Sequence, residues 1–341
     1  MLRCIELGKN GLGSTYPNPM VGSVIVHENK IIGEGYTSAY GGNHAEVNAI
    51  NSVENKSLLK DATIYVSLEP CSHYGKTPPC ADLIIKHSIK NVVVGCLDPH
   101  EKVAGRGIKR LRDAGCNVEV GILEKECRKH HKRFLTFHEK KRPYVILKWA
   151  ETADGFIAPD KNLRASNPEP FWITNKKSRQ LVHQWRAEEH AILVGTKTVL
   201  EDNPKLNVRD WNGSSPIRII IDKNLKIPTD FHVFDESIKT IVLNSETNRT
   251  GNTIEYLKLN FKANLVQEIC NVLHSKNILS LIVEGGTFTL QRFIESNLWD
   301  EARVFKGNTN FENGLKAPNI SGNNSTAQKI IKDILTTYYN D

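Results

Sequence analysis

The chain has 341 residues, 39% hydrophobic and 24% charged, which accommodates two domains of roughly 150 residues each and excludes intrinsic disorder. No apolar run reaches the roughly 18 residues that a membrane-spanning helix needs, and Arg3, Glu6 and Lys9 fall where a secretory signal would be apolar. The formal charge of +7 is mild, and suits a phosphorylated small-molecule substrate better than nucleic acid, whose binders concentrate a basic patch.

The first half alternates short β-rich runs with helical stretches. Residues 21–27 and 30–36 flank Glu28-Asn29 and read as a hairpin. A helix is expected over 45–53, a strand over 63–67, a helix over 81–87 and a strand over 91–95. Residues 107–114 form a helix closed by Gly115, and 117–120 a further strand. The charged runs 129–133 and 140–143 read as a solvated helix face or linker. They set the boundary between an N-terminal domain, 1–142, and a C-terminal domain, 143–341. Beyond it come strands near 144–149, 191–195, 217–222, 240–243 and 281–284, with helices near 176–187, 265–274 and 287–296. Both halves are therefore α/β, each with helices packed on a mixed or parallel sheet. Seven cysteines, odd in number and scattered, read as the reduced thiols of a cytoplasmic protein.

The sharpest signal is His44-Ala45-Glu46 followed by Pro70-Cys71 and, after an eight-residue interval, Cys80. One imidazole and two thiolates, His44, Cys71 and Cys80, make three Zn²⁺ ligands and leave a fourth position for water, the layout of a catalytic rather than a closed structural site. Glu46 lies two residues beyond His44 at a helix start, where it can act as a proton shuttle without being a ligand. Both cysteines precede helical stretches, whose N-termini favour thiolate over thiol. His-x-Glu with Pro-Cys and a later Cys is the signature of zinc deaminases. Nucleobase deaminases usually separate their cysteines by two residues; the longer interval here, with His73 as a competing imidazole and Lys76 beside it, shapes a larger pocket. In the second half, Glu284-Gly285-Gly286-Thr287 follows a strand and opens a helix, an arrangement that admits a phosphate but equally an ordinary turn.

The runs 15–22, 44–46, 68–80 and 102–107 resemble the bifunctional RibD family of riboflavin biosynthesis, in which a pyrimidine deaminase is fused to an NADPH-dependent reductase. The runs 147–155, 172–174, 192–206 and 283–286 follow in that family's order. The resemblance implies a cytidine-deaminase-like N-terminal fold and a dihydrofolate-reductase-like C-terminal one. It implies hydrolytic deamination of a diamino-ribosylamino-pyrimidinone 5′-phosphate, then reduction of its ribosyl group to a ribityl chain, with Zn²⁺ and NADPH as cofactors. Ala150, Trp172, Thr198, Asp202, Gly286, Thr287, Phe288 and Thr289 would contact NADPH. Asn18, Arg186, Leu206, Arg209 and Glu284 would contact substrate. A dimer or larger homo-oligomer is the family's common state. The chain departs from the family's pattern at Pro170, where Ser is common, in the length of the 156–171 loop, and at His100-Glu101, where Asn-Pro is common. The alternatives are a nucleic-acid or nucleotide base deaminase with a non-reducing accessory domain, a deaminase with a relic reductase half, and a non-enzymatic zinc module with a fourth protein ligand.

Overall fold

The computed structural model describes residues 1–74, 78–100, 103–160, 171–322 and 324–340. The chain divides into two compact units, Met1–Arg142 and Pro143–Asp341.

In the first unit, β1 (Gly22–His27) and β2 (Lys30–Tyr36) form the hairpin. Glu28 and Asn29 turn it with φ of 47° and 60°, the left-handed pair that a two-residue primed turn requires. With β3 (Thr63–Leu68), β4 (Asn91–Cys96) and β5 (Asn117–Val120) they make, among the described residues, a five-stranded sheet in the order β2-β1-β3-β4-β5. β1 runs antiparallel to both neighbours, while β3, β4 and β5 are parallel. Helices cover both faces. Cys4 and Leu7 of α1 (Leu2–Gly8) pack on Val24. On β2, a Cβ at Gly35 would stand 2.3 Å from the Ala49 nitrogen, and one at Gly33 would stand 2.6 Å from the Ala49 oxygen. These two glycines therefore let α2 (Ala45–Ser52) lie directly against the strand, and α2 carries the site.

The structure corrects the reading of 129–142 as a solvated face or linker. Residues there form α5 (Glu124–His130) and α6 (Lys132–Glu139), with His130, His131, Phe134, Leu135 and Phe137 buried. The lysines flank an inward face that the charge runs concealed. His131 Nε2 meets Ser67 Oγ at 3.1 Å and His130 Nε2 meets the Met20 carbonyl at 2.7 Å. Burial lowers the pKa of both imidazoles and so favours the neutral form that a core tolerates.

The second unit is built on a sheet of ten strands among the described residues. Its centre is β8 (Ala191–Gly195), β13 (Ser280–Val283), β6 (Tyr144–Glu151) and β14 (Glu301–Lys306), side by side and parallel. Parallel strands β9 (Ile217–Ile221), β10 (Thr240–Asn244) and β12 (Ile254–Lys258) extend it one way. Antiparallel β17 (Asp333–Tyr339) and β16 (Ser325–Ile330) extend it the other. β6 shows why both faces are covered. Val145, Leu147 and Trp149 join a core with α9 (Leu265–Ser275) and α10 (Thr287–Glu295). Tyr144 and Ile146, at alternate positions, join a second core with α7 (Lys176–Glu188) and α8 (Thr196–Asp202). Each fully buried aliphatic side chain of this kind contributes about 1.5–3 kcal/mol. The short β11 (Arg249–Thr250) pairs antiparallel with β12 at the sheet's edge, and β7 (Phe156–Pro159), which opens the stretch read as a loop over 156–171, pairs with β15 (Gly314–Lys316) in a separate two-stranded sheet. The sequence pattern missed these three, and α8, β12, β14, β16 and β17. β16, for example, is largely exposed and lacks the apolar signature of a strand.

Candidate active sites

His44 is the N-cap of α2 and makes no side-chain cap, which leaves its ring available. Cys80 opens α3 (Cys80–Lys86), and its backbone N–H donates to Cys71 Sγ at 3.3 Å. His44 Nδ1 lies 3.6 Å from Cys71 Sγ and 3.3 Å from Cys80 Sγ. The three donor atoms fall within 4.8 Å of one another. Two sulfurs and one imidazole nitrogen so grouped fit Zn²⁺, and as three protein ligands they leave one tetrahedral position open.

The electrostatics of the trio match that chemistry. Cys71 is pulled down to about 4, first by the Cys80 hydrogen bond and then by His44. His44 is raised to about 9 by its hydrogen bond to Cys71. Cys80 moves the other way, well above the ordinary thiol range, because it carries the proton it shares with Cys71. A cation at the trio needs both sulfurs as thiolates, so its binding would release the proton that Cys80 keeps. Glu46, in the first turn of α2, is 4% exposed. Burial, then the neighbouring Cys71 charge, raises its carboxyl above the ordinary carboxylate range. Asn18 lies half-buried in the turn ahead of β1, its N–H on the Thr15 carbonyl at 2.8 Å. Lys76 lies outside the described residues.

The second unit has its own crevice. β8 and β13 are adjacent, yet the helices that follow them pack on opposite faces, α8 in one core and α10 in the other. Such a divergence opens a cleft at the carboxyl ends of the strands, where ligands bind in open α/β sheets. There the Gly286 N–H donates to Thr198 Oγ1 at 3.1 Å. A Cβ at Gly195 would stand 2.9 Å from Thr289 Oγ1, and one at Gly285 would stand 2.8 Å from Thr289 Cβ. The backbone is thus bare where α10 begins, and Gly286 is an N-cap without a side-chain cap. The Gly286 N–H is taken by Thr198 and the Thr289 N–H by the Gly286 carbonyl at 3.0 Å, so the amides of Thr287 and Phe288 are the ones placed to favour a phosphate. Thr287 Oγ1 bonds the Lys316 carbonyl, Phe288 is exposed, with Arg292 over its ring at 5.1 Å, and Thr289 is half-buried. Ala150 lies on β6, packed against the α7–α8 core.

Charged candidates meet beside the crevice. Arg186 and Glu284 form a two-point ion pair, with Lys148 Nζ 3.4 Å from Glu284 Oε2. Burial alone would raise the Glu284 carboxyl, but Arg186 and Lys148 hold it at about 2. Burial lowers Lys148, against the pull of Glu284. Arg186 Nη1 also reaches the Asn207 carbonyl at 3.3 Å, next to Leu206. Leu206 itself is buried in the core, with a backbone φ of 52°. Arg209 is exposed, 3.6 Å from Asp210, and its N–H reaches His183 Nδ1 at 3.4 Å. Trp172 and Asp202 stand exposed at the surface, Trp172 beneath the Arg179 guanidinium at 4.2 Å. Sequence reasoning missed Lys148 as a site residue. Its one signal was a lone lysine within the apolar run of β6. Pro170 and most of the loop around it lie outside the described residues.

Comparison with known proteins finds a separate match in each half. Residues 143–307 match the RibD C-terminal domain, and residues 1–96 match the cytidine and deoxycytidylate deaminase zinc-binding region. The chain is 41% identical over 310 residues to the riboflavin biosynthesis protein RibD of Aquifex aeolicus, covering 89% of this chain and 85% of the relative. It is 35% identical over 323 residues to that of Escherichia coli, covering 89% and 86%. Among solved structures, a diaminohydroxyphosphoribosylaminopyrimidine deaminase/5-amino-6-(5-phosphoribosylamino)uracil reductase from Thermotoga maritima superposes with a TM-score of 0.88 at 37% identity, covering 99% of this chain and 97% of that one. An Acinetobacter baumannii RibD gives 0.87 at 31% identity, covering 99% and 97%.

Proposed function

The chain belongs to the RibD family, bifunctional deaminases and reductases of riboflavin biosynthesis, and from that membership we propose how its residues divide the two reactions. Residues 1–142 carry hydrolytic deamination of the 2,5-diamino-6-ribosylamino-pyrimidinone 5′-phosphate. Residues 143–341 carry the NADPH-dependent reduction that yields 5-amino-6-(5-phosphoribitylamino)uracil.

His44, Cys71 and Cys80 would hold Zn²⁺, which would supply a Lewis acid able to activate water at neutral pH. Glu46 manages the protons. Its carboxylate takes one from the attacking water and passes it to the ring nitrogen beside the amino-bearing carbon; it then takes the remaining proton of the added hydroxyl and delivers it to the amino group, which leaves as ammonia as the C–N bond breaks and the carbonyl forms. A buried carboxyl with a raised pKa holds that proton more readily than an exposed one. Asn18 binds the pyrimidine or its sugar.

NADPH, when bound, would be the source of the hydride for C1′ of the ribosyl group. The amides of Thr287 and Phe288 bind a cofactor phosphate, Thr198 fixes Gly286, Thr289 packs against the bare turn, and Ala150, Trp172, Phe288 and Asp202 border the remainder. Arg209, Arg186 and the turn at Leu206 hold the ribose-phosphate. Glu284 anchors Arg186 and Lys148. Lys148, with its pKa lowered by burial, is the member of that group able to release a proton nearest neutrality. A base deaminase with a non-reducing accessory domain is set aside by the match of 143–307 to the RibD C-terminal domain.

We further propose a cytoplasmic enzyme that works as a homo-oligomer, its seven scattered cysteines, odd in number, reading as reduced thiols. No described helix is long and apolar enough to cross a membrane. The observation that carries the proposal is the convergence of His44, Cys71 and Cys80 beside a buried Glu46. A coupled assay on zinc-loaded protein tests it: ammonia release from the diaminopyrimidine, then NADPH oxidation on the deaminated product. Ammonia without NADPH oxidation contradicts the second half of the proposal, and neither signal contradicts it whole.

A further inference from the structure

Glu69 stands two residues ahead of the metal ligand Cys71 and is 4% exposed. Its carboxylate accepts four backbone amides. Oε1 takes the N–H of Gly107 at 3.0 Å and of Ile108 at 3.3 Å, and Oε2 takes those of Gly105 at 3.0 Å and Asp98 at 3.3 Å. Three of these donors lie at the start of α4 (Arg106–Asp113), where the helix dipole favours a negative group. The glycine-bearing run at 103–107 thus cradles a carboxylate of its own chain. Gly107 permits the approach, since a Cβ there would stand 2.0 Å from the Pro70 carbonyl oxygen. The Glu69 N–H bonds the Cys96 carbonyl at 3.0 Å, and the Cys71 carbonyl accepts the Ala81 N–H at 3.1 Å.

We infer that Glu69 is a positioning residue for the metal centre: by taking four amides of α4 and the β4 terminus, its carboxylate fixes the Glu69-Pro70-Cys71 turn and so presents Cys71 Sγ to His44 and Cys80. The inference rests on the reading of that trio as a zinc site. Both carboxylate oxygens of Glu69 are directed to backbone amides, and Glu69 is not one of the three grouped donors. A neutral isostere keeps the volume but turns an N–H donor toward two amides that need an acceptor, which leaves buried donors unsatisfied and frees the turn. Groups that orient ligands in this way commonly change metal affinity by about tenfold to a hundredfold.

The test compares wild type with Glu69→Gln by chelator competition for Zn²⁺ and by the thiolate-to-cobalt charge-transfer band of the Co²⁺-substituted protein. The band's intensity follows the number of bound sulfurs. Glu69→Gln is expected to weaken zinc binding on the order of tenfold and to lower the band toward that of Cys71→Ser. Ile25→Ala, a cavity in β1 away from the turn, serves as the control for lost stability; it is expected to lower the melting temperature and keep wild-type zinc affinity and band. Should Glu69→Gln fail to fold, Gly105→Ala applies a milder strain to the same cradle, at a φ of 82°, and is expected to weaken zinc in the same direction. Wild-type zinc affinity and an undiminished band in the folded cradle variant overturn the inference. Absence of the band in wild type overturns the zinc reading beneath it.

Discussion

Glu284 meets Arg186 edge to edge, Oε1 on Nε at 2.9 Å and Oε2 on Nη2 at 2.8 Å, in a pair whose side chains are only 9% and 13% exposed. Lys148 closes on the same carboxylate. Three buried charges thus share one net positive charge at the mouth of the crevice, which suits a phosphorylated ligand. Glu284→Gln leaves both cations without their counter-ion. Loss of one partner from such a group costs about 3–5 kcal/mol. The expected outcome is a lower urea midpoint and loss of NADPH oxidation; an unchanged midpoint contradicts the buried pairing.

The same carboxylate makes stability depend on acid. Its pKa is about 2 in the fold against an ordinary value of 4.5. Because the folded value lies below the unfolded one, the contribution is complete above the ordinary value and fades as pH falls toward the folded one. That contribution is on the order of 3 kcal/mol. Urea denaturation of wild type from about pH 5 to about pH 2 should show the decline, and Glu284→Gln should remove this part of it. Parallel curves for the two proteins contradict the assignment.

Gly285 has no room for a side chain, its added Cβ falling 2.8 Å from Thr289 Cβ. Gly285→Ala should therefore shift the first turn of α10. The expected loss is on the order of tenfold in kcat/KM for NADPH, below the hundredfold that a misplacement of about 1 Å can cause. It should appear mainly as a raised KM for NADPH. Wild-type KM for the cofactor contradicts the placement of its phosphate there.

Helix α6 tests the correction made to the sequence reading. Phe137 is 5% exposed, so Phe137→Ala should destabilise by about 3–5 kcal/mol. Lys129 of α5 is exposed, and Lys129→Ala should change stability by no more than about 0.5 kcal/mol. Thermal melts of the two variants check both values. Equal effects contradict a buried α6.

The metal trio was legible because its parts carry their chemistry in residue type and stand at helix starts that the pattern identifies. His44 opens α2, and Cys80 opens α3. The hairpin was legible for a similar local reason, two turn residues between β-rich runs. The Lys148–Glu284–Arg186 group was not. Its members are 98 and 136 residues apart, and only the parallel sheet brings them together. The role of Glu69 was hidden likewise, since its acceptors' partners are backbone amides, which residue type does not reveal. In α5 and α6 the basic side chains outnumber the apolar ones, so charge masked a face whose histidines are buried rather than solvated.

The most direct test is Glu46→Gln, analysed for bound zinc and for ammonia release on one preparation. The account predicts about one zinc per chain, as three protein ligands remain intact, with deamination reduced by about a hundredfold or more through loss of the proton carrier. Ammonia release at the wild-type rate from that zinc-loaded variant contradicts the role given to Glu46.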